Sequence, residues 1–331
     1  MTISVLVPTY RRPNDLRLVL DTLKRQDRFP DQVIVTVRDT DTETQAFFRG
    51  YDADPLPLTV TEVREPGVVA AMNAGLAVVT GDITVLTDDD TEPFPDWLKR
   101  IEAHFVADPT VGGVGGRDHQ KIHPGPETED VGRLSWFGRL TGNHHVGIGP
   151  PREVDTLKGA NCAYRTVPLR AIGFDTRLLG SGAQVNWELG LGLALRRAGW
   201  KLIYDPQVAV HHHIAQRFGD DQTHRGIFQA RPYQEAVHNE TLFLWYYLSP
   251  PQRMAFTVWS VLVGTRGVPG VVQLIRFPKN PEIRQRFLAS FGGRLSGVRA
   301  ARTTRPPGSP PPRPDEMQNA SRSDTMTVRT P

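Results

Sequence analysis

Three consecutive aspartates, Asp88, Asp89 and Asp90, follow the strand-forming run ITVLT. Adjacent carboxylates repel one another, so a fold accommodates them either in a solvated turn or around a cation. Composition alone favours the turn. Position raises the other reading, because a run that directly follows a strong strand lies at the rim of a sheet. Aspartates two apart on a chain leaving a strand can turn toward one site, and their hard oxygens suit Mg2+ or Mn2+. Another acid, Glu188, stands at the start of the helical run WELGLGLALRRAGW. The helix dipole favours an acid there, and a carboxylate so placed can also accept a proton. His211, His212 and His213 end the strand pattern KLIYDPQVAVHHH. Alternation turns His212 to the opposite face from its two neighbours.

These groups need elements to hold them. ISVLVPTY is a short apolar run ended by proline, a buried-strand pattern. In NDLRLVLDTLKRQ, Leu16, Val19, Leu20 and Leu23 fall at helical spacing, with Asn14 or Asp15 available as a cap. DQVIVTVRD reads as a second strand, GVVAAMNAGLAVVT as a helix and GDITVLTDDD as a third strand. Strands alternating with helices predict parallel βαβ units in an open α/β sheet, whose ligands bind beyond the carboxyl ends of the strands. Tyr10, Asp39 and the three aspartates therefore converge on one crevice. Residues 112–182 read as glycine-rich and irregular, with a strand and turn in EVDTLKGANCAYR.

Composition bounds the class. With 331 residues, 39% hydrophobic and 23% charged, the chain can build a sizeable core. A net charge of +3 is too small to indicate a nucleic-acid binder. The lone Cys162 excludes an intrachain disulfide and a cysteine zinc site, and fits a reducing compartment. No signal peptide is read at the N-terminus, so the expectation is a cytoplasmic protein. Residues 234–276 are aromatic and apolar, but MAFTVWSVLVGT is far short of the roughly 20 residues that span a bilayer. They predict an amphipathic helical hairpin that covers the core or lies on a membrane surface. From 300 onward the chain is proline-rich and expected to be disordered.

The pieces SVLVPTYRRP, VIVTVRDTDTET, AAMNAGL, GDITVLTDDDTEPFPDWL, LKGANCAYR, GFDTRLLGSGAQVNWELGLGLALRRAGWKLIYDP and VAVHHH occur in that order over about residues 2–215. As an ordered set they resemble the family 2 glycosyltransferases, inverting enzymes of the GT-A fold that use nucleotide-sugars. The resemblance implies a mixed, mostly parallel sheet flanked by helices (1–233), to which composition adds a helical extension (234–299) and a loose tail (300–331). It implies that Pro8, Thr9 and Tyr10 border the base, with Arg12 close by, and that Asp39 recognises it. Asp88 and Asp90 match the ends of the DxD motif, with Asp88 and Asp89 on the donor and Asp90 on a Mn2+ or Mg2+ ion that His212 approaches. Asn73 and the loop Gly159, Ala160, Asn161 fall beside the donor. Glu188 takes the place of the catalytic base, and Trp187 is suited either to stacking on an acceptor sugar or to core packing.

Three departures stand out. Arg38 replaces the first of two acids after the second strand, Met72 replaces an arginine before Asn73, and Trp187 leaves Glu188 as the only carboxylate of an acidic pair. The expected function is transfer of a sugar from a UDP-, GDP- or dTDP-sugar to a hydroxyl of a glycan, glycolipid or small molecule, in cell-surface polysaccharide or glycolipid synthesis. The alternative is an inactive nucleotide-sugar-binding or scaffold protein. The aromatic extension adds an expectation of peripheral contact with the inner face of a membrane.

Overall fold

The computed structural model describes residues 1–120, 125–215 and 227–319. Strands β1 (Ile3–Thr9), β2 (Gln32–Arg38), β3 (Leu58–Val63) and β4 (Ile83–Thr87) are parallel, in spatial order β3-β2-β1-β4. Helices α1 (Pro13–Leu23), α2 (Thr42–Gly50) and α3 (Val68–Val78) make the crossovers. Side chains of β1 alternate between two cores. Ile3, Val5 and Val7 pack with Leu16 and Leu20 of α1, while Leu6 packs with Met72 and Leu76 of α3. Cover on both faces is why these strands read as unbroken apolar runs. Neither Asn14 nor Asp15 caps α1; Pro13 opens the helix, with its preset φ and no N–H to satisfy.

Beyond β4 the sheet becomes mixed. The chain continues through β5 (Thr91–Pro93), α4 (Trp97–Ala107), β6 (Val111–Gln120), the hairpin β7 (Arg133–Leu134) and β8 (Leu140–Thr141), β9 (Arg152–Val154) and β10 (Asn161–Arg165). Then come α5 (Thr166–Ile172), α6 (Trp187–Arg197) and β11 (Lys201–His212). The order extends as β4-β10-β6-β11-β5, with β10 antiparallel to both neighbours and β11 parallel to β6. Antiparallel β10 brings Asn161 opposite Thr87, so the turn before β10 meets the carboxyl end of β4.

The segment expected to be irregular thus holds a ten-residue strand, β6. Its glycines hide it, and they are there for contact. A Cβ at Gly116 would collide with the Val208 carbonyl, where the β6–β11 register shifts between Asp205 and Ala209. Asn161 locks this irregularity. Its Nδ2 donates to the carbonyls of Val208 (2.8 Å) and Arg117 (3.2 Å), and its Oδ1 accepts from Trp97 Nε1 (2.8 Å) of α4.

Among the described residues the C-terminal part holds more than a hairpin: α7 (Ala230–Tyr247), α8 (Pro250–Leu262), α9 (Val271–Arg276) and α10 (Pro281–Thr303), with a further helical stretch at 314–319. The expected boundary at 233/234 falls within the first turn of α7, whose Leu242, Phe243 and Leu244 join the main core. The tail is not loose from 300. Helix α10 runs to Thr303, Ser309 N donates to Ala171 O (2.7 Å), and Pro312 O accepts from Trp200 Nε1 (2.8 Å). The rest of the expected disordered tail, 320–331, lies outside the described residues.

Asn161→Ala is expected to leave two carbonyls and an indole N–H unpaired in the interior, costing roughly 2–4 kcal/mol. Urea unfolding measures it. A change within experimental error would show that Asn161 does not hold the irregular strand pair.

Candidate functional site

Parallel β1 and β4 bring Thr9 and the triple aspartate together, and hydroxyls pin the turn. Thr91 Oγ1 donates to the Asp88 carbonyl (2.9 Å), and Thr87 Oγ1 to the Ala160 carbonyl (3.0 Å). The three carboxylates then enter different surroundings. Asp89 is buried and accepts from Thr9 Oγ1 (2.7 Å) and Arg12 (2.6 Å). Burial pushes its carboxyl up to about 7 against the pull of Arg12. Asp88 is half-exposed. Asp90 is buried, and its carbonyl and Oδ2 accept from the backbone N–H groups of His213 (2.9 Å) and Ala215 (2.7 Å). The other oxygen, Asp90 Oδ1, has no hydrogen-bond partner and lies 3.3 Å from His212 Nε2.

A buried carboxylate oxygen whose nearest polar neighbour is an imidazole could also serve as a cation ligand. Asp88, Asp90 and His212 each offer one ligand atom within 4.8 Å of the others, so oxygen and imidazole donors together could hold a divalent metal. Asp118, at the end of β6, orients the imidazole: its Oδ2 lies 3.3 Å from His212 Nδ1 and 2.5 Å from Lys158 Nζ. Burial opposes a charge on His212, but Asp118, Asp90 and Asp88 hold its pKa up at about 9. A metal must therefore displace a proton from Nε2.

Beside the turn opens a cavity of about 430 Å³, within the range of small-ligand sites. Pro8, Thr9, Tyr10, Arg12, Asp88 and Asp89 line it, as expected. Arg38 lines it where Asp39 was expected. The Asp39 side chain is exposed and sits 3.4 Å from Arg38 Nε, so it reaches the cavity only through that guanidinium. Glu65, Gly67 and residues 181–183 complete the wall. They were not foreseen, although the loop EPG between β3 and α3 lies at the same rim.

Glu188 lies in the first turn of α6 and remains partly exposed. Its Oε1 accepts from Gly159 N (3.1 Å), a contact that a Cβ at Gly159 would crowd against Trp187. Burial raises the Glu188 pKa, and the charges of Asp88 and Lys158 act on it from either sign. The turn Lys158–Gly159–Ala160 thus touches all three parts: Asp118, Glu188 and the Thr87 hydroxyl.

Several expected contacts fall elsewhere. Trp187 is only 8% exposed and meets Phe174 edge-on, so it is a core side chain and not a stacking surface for an acceptor. Asn73 spends its amide on Phe174, donating to its carbonyl (2.8 Å) and accepting from its N–H (2.9 Å). Asn161 is consumed in the sheet and Ala160 is buried, contributing its carbonyl alone. Asp118 and Lys158 were missed. Their signal was a polar pair, Arg117-Asp118, ending a glycine run that does not look like a strand.

Residues 4–163 match the model of Glycosyl transferase family 2. Over 225 residues the chain is 24% identical to a glucosyl-dolichyl phosphate glucuronosyltransferase of Haloferax volcanii, covering 65% of this chain and 70% of that protein. Over 245 residues it is 24% identical to the O-antigen biosynthesis protein RfbC of Myxococcus xanthus, covering 66% of this chain. The chain spans only 25% and 18% of the lengths of the first two curated relatives it matches. A mannosyltransferase from Pyrobaculum calidifontis, solved in complex with GDP-Man and Mn2+, superposes with a TM-score of 0.50 at 19% identity, covering 99% of this chain and 81% of that one. That likeness shows the fold.

Calorimetric titration with Mn2+ tests the cluster. Asp90→Asn is expected to abolish binding, and Asp118→Asn to weaken it about 10–100-fold by releasing the imidazole. Wild-type affinity in both variants would show that the ion, if bound, sits elsewhere.

Proposed function

We propose, from the match of residues 4–163 to the model of Glycosyl transferase family 2, that the chain moves a sugar from a nucleotide-diphosphate-sugar to an acceptor hydroxyl with inversion. One observation carries this reading. A three-donor cluster (Asp88, Asp90, His212) and a partly buried glutamate (Glu188) are joined by one turn beside a ligand-sized cavity. The donor would lie in that cavity between Tyr10, Arg38 and Gly67, with its diphosphate toward Asp88. A divalent ion held by Asp88, Asp90 and His212 would supply neutralising charge to the diphosphate.

The protein's own groups do the rest. Asp118 and Lys158 fix the direction of His212. Gly159 N holds Glu188 Oε1, leaving Oε2 to accept the proton of the attacking hydroxyl. The acceptor oxygen bonds to the anomeric carbon as the bond from that carbon to the phosphate oxygen breaks. The nucleoside diphosphate leaves with the electron pair. A single displacement of this kind inverts the centre and requires no protein nucleophile. Acceptors consistent with the relatives are surface glycans and glycolipids.

Incubation with a panel of UDP-, GDP- and dTDP-sugars plus Mn2+ or Mg2+, with product masses and anomeric coupling constants, identifies the pair. Glu188→Gln is expected to lower kcat about 10²–10⁴-fold while donor affinity by calorimetry stays close to wild type. Full turnover of Glu188→Gln, or a retained anomer, would refute the mechanism. Donor binding with no acceptor-dependent nucleotide release would instead mark a binding protein.

The pH profile gives a further check. A base must be ionised, and burial raises the Glu188 pKa, so kcat/KM is expected to fall on the acid side at a higher pH than an ordinary glutamate would give. An acid limb at or below the usual glutamate range would assign the base to another group.

A further inference from the structure

Helices α8, α9 and α10 leave apolar side chains uncovered. Met254, Val258 and Leu262 form a stripe along α8 at four-residue spacing. Leu288, Phe291 and Leu295 form another along α10, with Leu295 65% exposed. Ile275 of α9 is 74% exposed. The three helices are neighbours. Gln273 Nε2 of α9 donates to the Val263 carbonyl at the end of α8 (3.2 Å), and Ser290 Oγ of α10 to the Pro269 carbonyl before α9 (3.3 Å). Exposed apolar stripes on neighbouring helices are characteristic of an interaction site.

Charge identifies the partner. Between residues 250 and 303 there are nine lysines and arginines and one acid, Glu282. The segment therefore carries +8, and with a total of +3 the remainder of the chain carries −5. Arg266, Arg276, Lys279 and Arg284 are exposed around the apolar side chains. A protein partner could match either the apolar or the basic part. Exposed apolar side chains on a segment with a large excess of cations match both layers of an anionic bilayer: acyl chains beneath phosphate headgroups. Among the described residues no helix is long and apolar enough to cross a membrane, so the contact would be peripheral.

We propose that the α8–α10 surface docks the protein onto an anionic lipid bilayer. This does not depend on the sugar-transfer reading, and its test uses no substrate.

The test is flotation of the full chain with vesicles of phosphatidylcholine alone or with about one third phosphatidylglycerol. The protein is expected to float with the anionic vesicles and to stay down with the neutral ones, more weakly as salt rises. Ile275→Asp/Leu295→Asp should lower vesicle partition roughly tenfold, and Arg266→Glu/Lys279→Glu should remove the preference for phosphatidylglycerol. All four positions are exposed, so both variants should melt with wild type. As a check that needs no variant, hydrogen exchange of the wild-type chain should slow between residues 254 and 295 when anionic vesicles are added. Failure to float at low salt, unchanged binding by Ile275→Asp/Leu295→Asp, or protection confined to other regions would overturn the proposal. So would a dimer that Ile275→Asp/Leu295→Asp splits without any vesicle binding, which would assign the surface to a second copy.

Discussion

The rim of the sheet has to hold four carboxylates, Asp88, Asp89, Asp90 and Asp118, within one small region. Two like charges about 4 Å apart repel by roughly 4 kcal/mol at an effective dielectric of about 20, so the site exists only if each acid is matched. Each match comes from a different element. Arg12, at the entry to α1, takes Asp89; Lys158, in the turn before β10, takes Asp118; His212, at the end of β11, stands between Asp118 and Asp90. One imidazole thus faces three carboxylates, Asp118 through Nδ1 and both Asp88 and Asp90 through Nε2. That excess of carboxylate over imidazole, rather than the presence of three aspartates in a row, is what would suit the cluster to a divalent cation.

The sheet supplies the matching groups by its mixed topology. Parallel β1 and β4 deliver Thr9 and the aspartates to the same edge, and parallel β6 and β11 deliver Asp118 and His212 to it. Antiparallel β10 runs the other way, so its preceding turn arrives at that edge too. Five segments far apart in sequence therefore end within bonding distance, without a long loop.

Much of this was legible because it lies on strands with plain patterns. The runs before Tyr10 and Asp88 end where their hydrophobicity says they should, and alternation correctly separated His212 from His211 and His213. Glu188 was legible as the opening acid of a helix. What was not legible depends on close packing. β6 is written in glycines because Trp200, Tyr164 and the Val208 carbonyl press against it, and no periodicity reports that. Trp187, Asn73 and Asn161 have the residue types of ligand contacts, yet Phe174, Trp97 and Val208 claim them. Arg38 and Asp39 are one residue apart, and the strand's pleat alone decides which one faces the cavity.

The packing of α7 bears on the loop that leads into Glu188. The segment from Leu179 to Asn186 contributes Ser181, Gly182 and Ala183 to the cavity wall and leads directly into Glu188. Two of its residues, Gln184 and Asn186, have left-handed backbone (φ 40° and 76°), which is costly for side chains of this kind. Such a conformation persists only where its surroundings hold it. Here Gln184 Oε1 accepts from Val69 N (3.0 Å), the Gly182 carbonyl accepts from Val68 N (2.9 Å), and further clamps come from α7. Asn239 is buried and bonds both the N–H and the carbonyl of Leu179 and the carbonyl of Val185, while Asn186 Nδ2 donates to the Ala236 carbonyl. A chain ended at 233 would lose all four of those bonds, and with them the support of the loop that aims Glu188. Helix α7 is thus an integral part of the site rather than the start of an appendage. Because α10 packs along α7, the apolar helices outside it are mechanically continuous with the loop that carries Glu188.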